Sequence, residues 1–395
     1  MDSVRNLPIK TKNLEFINIV PKLLPISMPT WANGLGENNY FYVPEEAIVE
    51  KLDGFMDWQK VDWWLASFLY IECIHERCWE YLYGPIHSYS NRLKGWDEKM
   101  WIYAWVNRIA IFLSKWASIE EASWIKNYKY QENIRMTHDL DAIELTAPIV
   151  IKQISLNLFR AFQFFLKGKL IRSLKRLISA FNFLDKKGSW NNFDEIILAE
   201  RNLRIKPLVN IYAGLNCKHP FTWLLDPGYK INSPKIKKLV ARFKDEDWEI
   251  GLHPSFFSFN SIKDLLFEKK RLEETIGKEV INVRQHWLRF SWENTWKSQT
   301  KAGLKYDYTL MFNDRYGFRN STALSFSSYY ENQNHQSKSS SFMDSVRDRD
   351  NAFDRLINEL NSCYGETNIL WHNHTLSSNY GWYESWRRCL RLLKK

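Results

Sequence analysis

The alternation of strand-like and helix-like segments between residues 207 and 371 constrains the fold more than any other feature of this sequence. The predicted strands are 207–212, 248–252, 280–283, 306–311 and 368–371, and the predicted helices are 234–243, 261–276, 291–302 and 347–363. Strands that alternate with helices pair in parallel, because each helix carries the chain back to start the next strand. The pattern predicts an α/β barrel or a doubly wound sheet, with reactive side chains after the carboxyl ends of the strands.

The region before residue 130 follows a different pattern. It is rich in Trp, with β-like runs at 16–20 and 40–43 and a helical apolar face through Trp101, Trp105 and Ile109. A chain of 395 residues with 45% hydrophobic residues is long enough for two structural units. We therefore predict a Trp-rich α+β domain over 1–130 and a larger domain over 131–395.

A basic, apolar stretch at 149–185 interrupts the second domain. Its apolar residues recur every three or four positions, which predicts helices, and Gly168 divides the stretch into two. The residues of this pattern are Leu156, Phe159, Phe162, Leu166, Leu170, Leu174, Leu177 and Phe181, interleaved with Arg160, Lys167, Lys169, Arg172, Lys175 and Arg176. One interpretation is a basic amphipathic hairpin on an anionic membrane. The interpretation favoured by the sequence is a helical insertion that packs its apolar face on the domain, as surface helices normally do.

Charge and targeting signals limit the possible partners and location. The net charge of +10 suits an anionic partner, but the sequence contains no recognised nucleic-acid-binding motif, so no nucleic acid is predicted. The five cysteines are scattered, which favours reduced thiols. The first 13 residues lack the apolar core of a secretory signal. We predict a cytoplasmic protein, with peripheral contact to an anionic membrane as the alternative location that the basic stretch suggests.

Two aspartates, Asp139 and Asp141, lie two residues apart in an extended-looking segment. In a strand this spacing points both side chains to one face. Neighbouring carboxylates either share a proton or hold a cation, so one metal ligand and one general base is a reasonable division between them. The structural alternative is a helix N-cap with an acidic neighbour.

Histidines follow three other apolar strands of the predicted sheet. His253 comes directly after 248–252, Arg284 and His286 follow 280–283, and His372 follows 368–371. A single histidine is more often structural than functional. Several buried ones would each need a polar partner, however, so their recurrence at strand ends favours a shared site.

These segments resemble the ordered motifs of the polysaccharide deacetylases, in a bacterial branch tied to surface-polysaccharide genes. The motifs are Thr-His-Asp-Leu-Asp, Glu-Ile-Gly-Leu-His-Pro-Ser, Arg-Gln-His-Trp-Leu-Arg-Phe, Tyr-Asp-Tyr-Thr-Leu with a later Gly-Phe-Arg, and Leu-Trp-His-Asn. The resemblance covers about 130–376, with a looser match upstream. It implies a distorted (β/α)7 barrel with a smaller N-terminal α+β domain. It also implies a hydrolase of carbon–nitrogen bonds other than peptide bonds, which removes acetyl groups from N-acetylated sugars.

The resemblance implies a role for each residue of the site. Asp139 would be the general base that takes a proton from water, and Arg284 would orient it. Asp141 and His253 would bind a divalent metal, zinc by expectation, with cobalt or nickel as alternatives. His372 would protonate the leaving amine as the general acid.

Four further residues have predicted roles around this centre. By the resemblance, Asp307 would hold the imidazole of His372 in place. Trp287, Tyr308 and Trp371 would line a sugar-binding groove, although core packing is at least as frequent for such side chains.

The sequence departs from the family at one metal ligand. Most members carry a second His three or four positions after the first, where this chain has Phe256 and Phe257. A catalytic zinc site needs three protein ligands. We favour His286 as the replacement; the alternatives are that Ser255 or water fills the position, or that catalysis has been lost.

The sequence therefore predicts a metal-dependent deacetylase that acts on a glycan or glycan precursor in bacterial envelope polysaccharide metabolism. The alternative is a catalytically impaired protein of the same fold that binds glycans or serves as a scaffold. A third class is an adaptor that binds a membrane or an anionic polymer through the basic stretch.

Overall fold

The structure is a computed structural model, which describes residues 7, 9–13, 17–50, 56–117, 134–184, 190, 192–201, 203–215, 222–327, 334–335, 338–339, 346–378 and 380–394. The chain divides into two compact units: the first comprises Met1–Arg135 and Trp287–Ile369, and the second comprises Met136–His286 and Leu370–Lys395. This division is not sequential, and the predicted boundary between 1–130 and 131–395 stays a prediction.

The first unit has an α+β structure, in which its first three strands form a small mixed sheet. Its strands are β1 (Leu23–Ser27), β2 (Tyr40–Pro44), β3 (Met56–Asp57), β8 (Tyr306–Asp307), β9 (Phe326–Ser327), β10 (Asn334–His335) and β11 (Lys338–Ser339). Its helices are α1 (Trp63–Ile71), α2 (Ile74–Tyr83), α3 (Lys99–Ile102), α4 (Trp105–Trp116), α11 (Thr295–Lys301) and α12 (Val346–Cys363). β1 pairs antiparallel with β2 and parallel with β3. The predicted strand over 16–20 is wrong for 17–20, which are not in a strand; the strand begins at Leu23, where pairing with β2 starts.

Buried ion pairs join the two sequence segments of the first unit. Arg108 in α4 donates to Glu359 in α12 at 2.6 and 2.8 Å, and Arg319 donates to Glu76 in α2 at 2.8 Å. All four side chains are buried. Because a buried charge is costly unless it is paired, these contacts require both segments to be in place. Residues 287–369 thus belong with the N-terminal region.

The second unit carries the parallel strands that the sequence pattern predicts. Its strands are β4 (Ile134–Leu140), β5 (Leu208–Tyr212), β6 (Glu249–His253), β7 (Asn282–Val283) and β12 (Thr367–His372), where β4 and β12 each begin in the first unit. Its helices are α5 (Ala147–Leu166), α6 (Leu170–Asn182), α7 (Phe193–Glu200), α8 (Thr222–Leu225), α9 (Pro234–Asp245), α10 (Ile262–Ile276) and α13 (Tyr383–Leu393). Neighbouring strands follow the order β12, β4, β5, β6, β7.

The pairing of these strands confirms the predicted fold class. β4, β5, β6 and β7 pair in parallel, with Asp139 beside Asn210 and Asn210 beside Gly251. Every residue of β5 is buried, as expected for a strand covered on both faces. The fold is mixed α/β, with a parallel half-barrel sheet of the kind expected for a deacetylase barrel and a small additional sheet. All parallel carboxyl ends therefore lie at one edge of the sheet.

Helices α5 and α6 occupy the basic stretch that the sequence singles out. Gly168, with a φ of +68°, lies between them. The favoured prediction, that the stretch packs its apolar face on the domain, is wrong. Phe159, Phe162, Leu170 and Phe181 are all more than half exposed.

Candidate metal centre and catalytic site

The predicted polar residues converge at the carboxyl edge of the parallel sheet. Asp141 directly follows β4, His253 and His372 are the last residues of β6 and β12, and Arg284 and His286 follow β7. The strands are mostly buried where they approach this edge, so the sheet fixes where these polar side chains lie. Asp141 and His372 are more than 200 residues apart in the sequence. They lie close together because β12 is the neighbour of β4 in the sheet.

Asp141, His253 and His286 form a compact cluster. Asp141 Oδ1 lies 3.2 Å from His253 Nε2 and 3.6 Å from His286 Nε2. One oxygen and two ring nitrogens from these residues all lie within 4.8 Å of one another. Both imidazoles are buried, and the carboxylate is partly exposed.

The far nitrogen of each imidazole is held by another group. His253 Nδ1 lies 2.6 Å from the main-chain oxygen of Arg284, and His286 Nδ1 lies 3.2 Å from Asp226 Oδ1. Both contacts favour a proton on Nδ1, which directs the lone pair of Nε2 towards Asp141. An imidazole whose second nitrogen donates to a carbonyl or carboxylate is typical of metal-binding histidines.

The cluster suits a divalent cation. Asp141 Oδ1 is buried and accepts no hydrogen bond of good geometry, although a buried carboxylate oxygen normally requires a partner. One carboxylate and two neutral imidazoles form a ligand set that zinc uses in catalytic sites, with a fourth position left for water or substrate. Asp141, His253 and His286 would hold the ion.

Electrostatics keep the ligand carboxylate ionised. Burial opposes ionisation of Asp141, but His372, His253 and His286 outweigh it, so the pKa of Asp141 lies well below its usual value. Burial likewise opposes a charge on His253, and Asp139 and Asp141 outweigh it, so the pKa of His253 is raised. Burial lowers the pKa of His286.

Asp139 lies beside the cluster in a network of donors. Arg284 Nη1 and Asn210 Nδ2 donate to Asp139 Oδ1 at 2.9 and 2.8 Å. Arg284 Nη2 also donates to Thr137 Oγ1 at 2.8 Å, which fixes the plane of the guanidinium. Because both donors bind the same oxygen, Oδ2 is the oxygen that faces His372.

The charge of Asp139 is set by the same neighbours. Burial opposes ionisation, but the Arg284 guanidinium, with His253 and His372, lowers the pKa of Asp139. The carboxylate is therefore ionised at neutral pH and competent to accept a proton. His372 Nε2 lies 4.0 Å from Asp139 Oδ2 and 3.4 Å from Asp141 Oδ2.

Gly251 in β6 makes room for Asn210. A Cβ on Gly251 would lie 2.4 Å from Asn210 Oδ1 and 3.1 Å from Asn282 Cβ. Any side chain at residue 251 would thus displace the amide that donates to Asp139. The glycine is required by close packing rather than by its backbone conformation.

The other predicted residues have less direct relations to this cluster. Trp371 is buried and contacts Trp382 edge to face at 6.4 Å. Asp307, Trp287 and Tyr308 belong to the first unit.

Asp307 and Tyr308 are buried among partners of their own unit. Asp307 accepts from Trp296 Nε1 at 3.1 Å and from the Thr309 amide at 3.1 Å, and Tyr308 Oη accepts from Arg135 at 3.2 Å. The predicted role of Asp307 in holding His372 stays a prediction. So does the predicted contact of the aromatic residues with sugar.

Three neighbouring residues have partners outside the cluster. His138 faces away from Asp139 and contacts Glu200 at 3.0 Å, as the alternation of strand side chains predicts. His374 stacks on Trp190 at 5.2 Å, and burial lowers its pKa to about 3. Ser255, the alternative third ligand, donates to Glu268 and contacts Ser258 at 2.6 Å. The structure thus brings His286, and not Ser255, to Asp141.

Sequence reasoning missed two contributors to the site. Asp226 precedes Pro227 and Gly228, a context that indicates only a turn, yet its carboxylate contacts His286 and accepts from the Phe256 amide at 2.7 Å. Asn210 left a clearer signal: a polar residue in the middle of an otherwise apolar strand must have a partner.

Comparisons with known proteins concern the fold. No protein-family model and no curated protein sequence matches the chain. A solved structure assigned as a polysaccharide deacetylase from Mycobacterium smegmatis is 13% identical, with a TM-score of 0.36, over 66% of this chain and 82% of that chain. A mutant of a CE4 family pseudoenzyme with restored enzymatic activity is 10% identical, with a TM-score of 0.30, over 67% of this chain and 62% of that chain. The chemistry of the site must be inferred from the residues themselves.

Proposed function

We propose that this protein is a metal-dependent hydrolase that removes acetyl groups from N-acetylated sugars. The observation that carries the proposal is that a possible metal-binding cluster and a possible general base lie together at one edge of the sheet. Asp141, His253 and His286 meet within 4.8 Å, and the ionised Asp139 lies beside them, held by Arg284. A structural ion pair alone would not require two imidazoles to direct ring nitrogens at the same carboxylate oxygen.

Asp139 and Arg284 would activate water. A bound divalent ion would polarise the amide carbonyl and make water more acidic. Asp139 Oδ2 would take a proton from the water whose oxygen adds to the carbonyl carbon. Arg284 and Asn210, both bound to Oδ1, would keep the carboxylate oriented during this transfer.

His372 would complete the reaction as the general acid. When the carbon–nitrogen bond breaks, the leaving nitrogen needs a proton to depart as an amine. His372 Nε2 is partly exposed to solvent and lies close to both aspartates. The products are acetate and a sugar with a free amino group. Asp139 then releases its proton to solvent, and His372 regains a proton from solvent.

The natural substrate in this proposal is a glycan or glycan precursor of bacterial envelope polysaccharide metabolism, and the metal is zinc. Both follow from the resemblance of the motifs. The Asp-His-His ligand set agrees with zinc because it combines nitrogen and oxygen donors. The predicted cytoplasmic location stays a prediction.

The decisive experiment measures acetate. Purified protein supplied with zinc, cobalt or nickel should release acetate from a panel of N-acetylated saccharides, and Asp139→Asn should lower the rate by about 10²- to 10⁴-fold, the usual contribution of a general base. Asp245→Asn, at an exposed position at the end of α9, is the matched control and should leave the rate unchanged. Absence of acetate with every saccharide and metal would refute the proposal.

Metal analysis separates the enzyme from its alternative. A glycan-binding or scaffold protein of this fold would purify without stoichiometric metal, and His253→Ala would leave its glycan binding intact. The enzyme should bind about one ion per chain, and His253→Ala should abolish that binding.

A further inference from the structure

The hairpin formed by α5 and α6 exposes an unusual amount of apolar surface. Thirteen of the 25 large hydrophobic side chains that are exposed among the described residues lie between 151 and 184. In α5, the side chains of Ile151, Phe159, Phe162, Phe165 and Leu166 are each more than half exposed. A contiguous exposed apolar surface of this kind marks a site of contact with another molecule or with lipid.

Helix α6 repeats this arrangement. Leu170, Ile171, Leu174, Ile178 and Phe181 are each more than half exposed. Their spacing of one, three and four residues places them on one side of the helix. Each helix of the hairpin therefore directs an apolar stripe to the outside.

The contact between the two helices uses small and polar residues instead. Asn157 and Ala161 of α5 and Ser173 and Ala180 of α6 are the buried residues of these helices. Ser173 Oγ donates to the Ala161 oxygen at 2.8 Å. Small residues at the helix contact, with large apolar residues outside, are typical of helices whose surroundings are lipid.

Both stripes face the same side of the hairpin. Ser173 contacts Ala161, and Arg176 further along α6 contacts Asn157 further back in α5, so the helices run antiparallel. With about 100° per residue, each stripe is centred roughly 100–120° from the helix contact, in the same rotational sense. In an antiparallel pair this places the stripes side by side, as one apolar face.

The charge of the hairpin identifies the kind of surface that this face fits. Residues 145–184 contain seven Lys and Arg and no Asp or Glu. Lys167, Lys169, Arg172 and Lys175 are exposed. A helix is about 10 Å across, which is close to the Debye length at ordinary salt. Cations on the polar side of the hairpin therefore still attract an anionic surface that contacts its apolar side.

The hairpin is anchored next to the candidate site. Ile149 and Ile154 of α5 pack on a cluster that includes Phe183 and Trp190. The Trp190 ring stacks on His374, whose ring lies 5.3 Å from that of His372.

We propose that the α5–α6 hairpin docks on the surface of an anionic lipid bilayer, with its apolar face in the interface and its cations close enough to attract the lipid headgroups. Helix α5 is long and apolar enough to span a membrane by length and composition. Arg160, near the middle of α5, instead favours a hairpin lying in the plane of the interface, because an Arg in the bilayer core is costly. This proposal stands independently of the deacetylase reaction.

The experiment is co-sedimentation of the full chain with vesicles of phosphatidylcholine alone or mixed with phosphatidylglycerol. We expect binding to the anionic vesicles and weakening of that binding at high salt. The triple variant Lys169→Gln, Arg172→Gln, Lys175→Gln should bind about 100-fold more weakly, from the usual contribution of a cation near an anionic surface. The triple variant Phe162→Ala, Phe165→Ala, Leu174→Ala should lose at least about 10-fold.

Matched controls place the effect on the hairpin. Lys237→Gln with Lys238→Gln on α9, and Leu198→Ala with Leu266→Ala on α7 and α10, change exposed residues of the same types elsewhere and should bind like the unmodified protein. Amides of 151–181 should gain protection from hydrogen exchange when anionic vesicles are added.

Three outcomes would overturn the proposal. One is no binding to anionic vesicles at low salt, and another is equal binding by all variants. The third is a dimer, seen by sedimentation velocity, that the triple apolar variant converts to a monomer while the unmodified chain ignores vesicles. The hairpin would then be a contact between two copies of the chain.

Discussion

The second unit contains two regions that reverse the usual distribution of side chains in opposite ways. At the carboxyl edge of its sheet it buries charged groups: Asp139, His253 and Arg284 have almost no exposed surface. In the α5–α6 hairpin it exposes large apolar groups such as Phe162 and Phe165. Exposed single apolar residues are ordinary, but buried charges and continuous apolar surfaces are not.

The two regions differ in what stabilises them. The buried charges are stabilised within the chain. Arg284 and Asn210 satisfy Asp139, a main-chain oxygen holds the imidazole of His253, and a carboxylate holds that of His286. The apolar face of the hairpin has no comparable cover among the described residues, so its partner must come from outside. Stability measurements on the two regions should therefore differ sharply.

The largest effect on stability should come from Arg284→Met. Removing the guanidinium leaves Asp139 buried without its ionic partner, which typically costs about 3–5 kcal/mol. Urea unfolding at neutral pH measures this loss, and Arg387→Met, at an exposed position of α13, is the control. Metal binding should persist, since His253 is oriented by the main-chain oxygen of residue 284. A loss below about 1 kcal/mol would show that the edge of the sheet is not held by this pair.

A smaller effect, visible only as a pH dependence, should come from Glu268 in α10. Burial raises the pKa of Glu268 to about 7, above the usual value of 4.5 for this carboxyl group. The folded chain therefore keeps the proton while the unfolded chain releases it. The contribution of Glu268 to the free energy of unfolding is fully present below about pH 4.5. It falls by about 3 kcal/mol as the pH rises to about 7.

Glu268→Gln should remove this fall, because the amide stays neutral and still bonds Ser255 and Ser258. Denaturant unfolding across this pH range, with Glu274→Gln at an exposed position of the same helix as control, measures the difference. Parallel curves for the Gln variant and the unmodified protein would contradict the assignment.

The smallest effect should come from the hairpin face. Phe162→Ala removes a ring that is mostly in solvent, so the free energy of unfolding without lipid should change by no more than about 0.5 kcal/mol. Phe183→Ala, which removes a buried ring beside the hairpin, should cost about 3–5 kcal/mol. Thermal or denaturant unfolding of the two variants tests the contrast. A large cost for Phe162→Ala would mean that the face is covered within the protein.

Much of the fold and of the site was predictable from sequence because both depend on local patterns. Short strands end at or just before Asp141, His253, His286 and His372, and parallel pairing brings these ends together. The absence of a second His after His253 pointed to His286, which the structure places next to Asp141.

What could not be predicted depends on contacts between distant segments. The role of Asp226 beside His286 has no local signature, since the surrounding residues indicate only a turn. Periodicity showed that the α5–α6 helices have an apolar face, but it does not say whether anything covers that face. The first unit likewise joins residues 287–369 to the N-terminal region through ion pairs that no sequence pattern reveals.

The close packing at Gly251 has a consequence for how this protein can be altered. The absence of a side chain at this position determines where the amide of Asn210 lies on the neighbouring strand. Even alanine at this position would push Asn210 from the acid it supports. In the proposed reaction, substitutions at position 251 should therefore lower the rate as much as changes at Asp139 do, with little loss of metal binding.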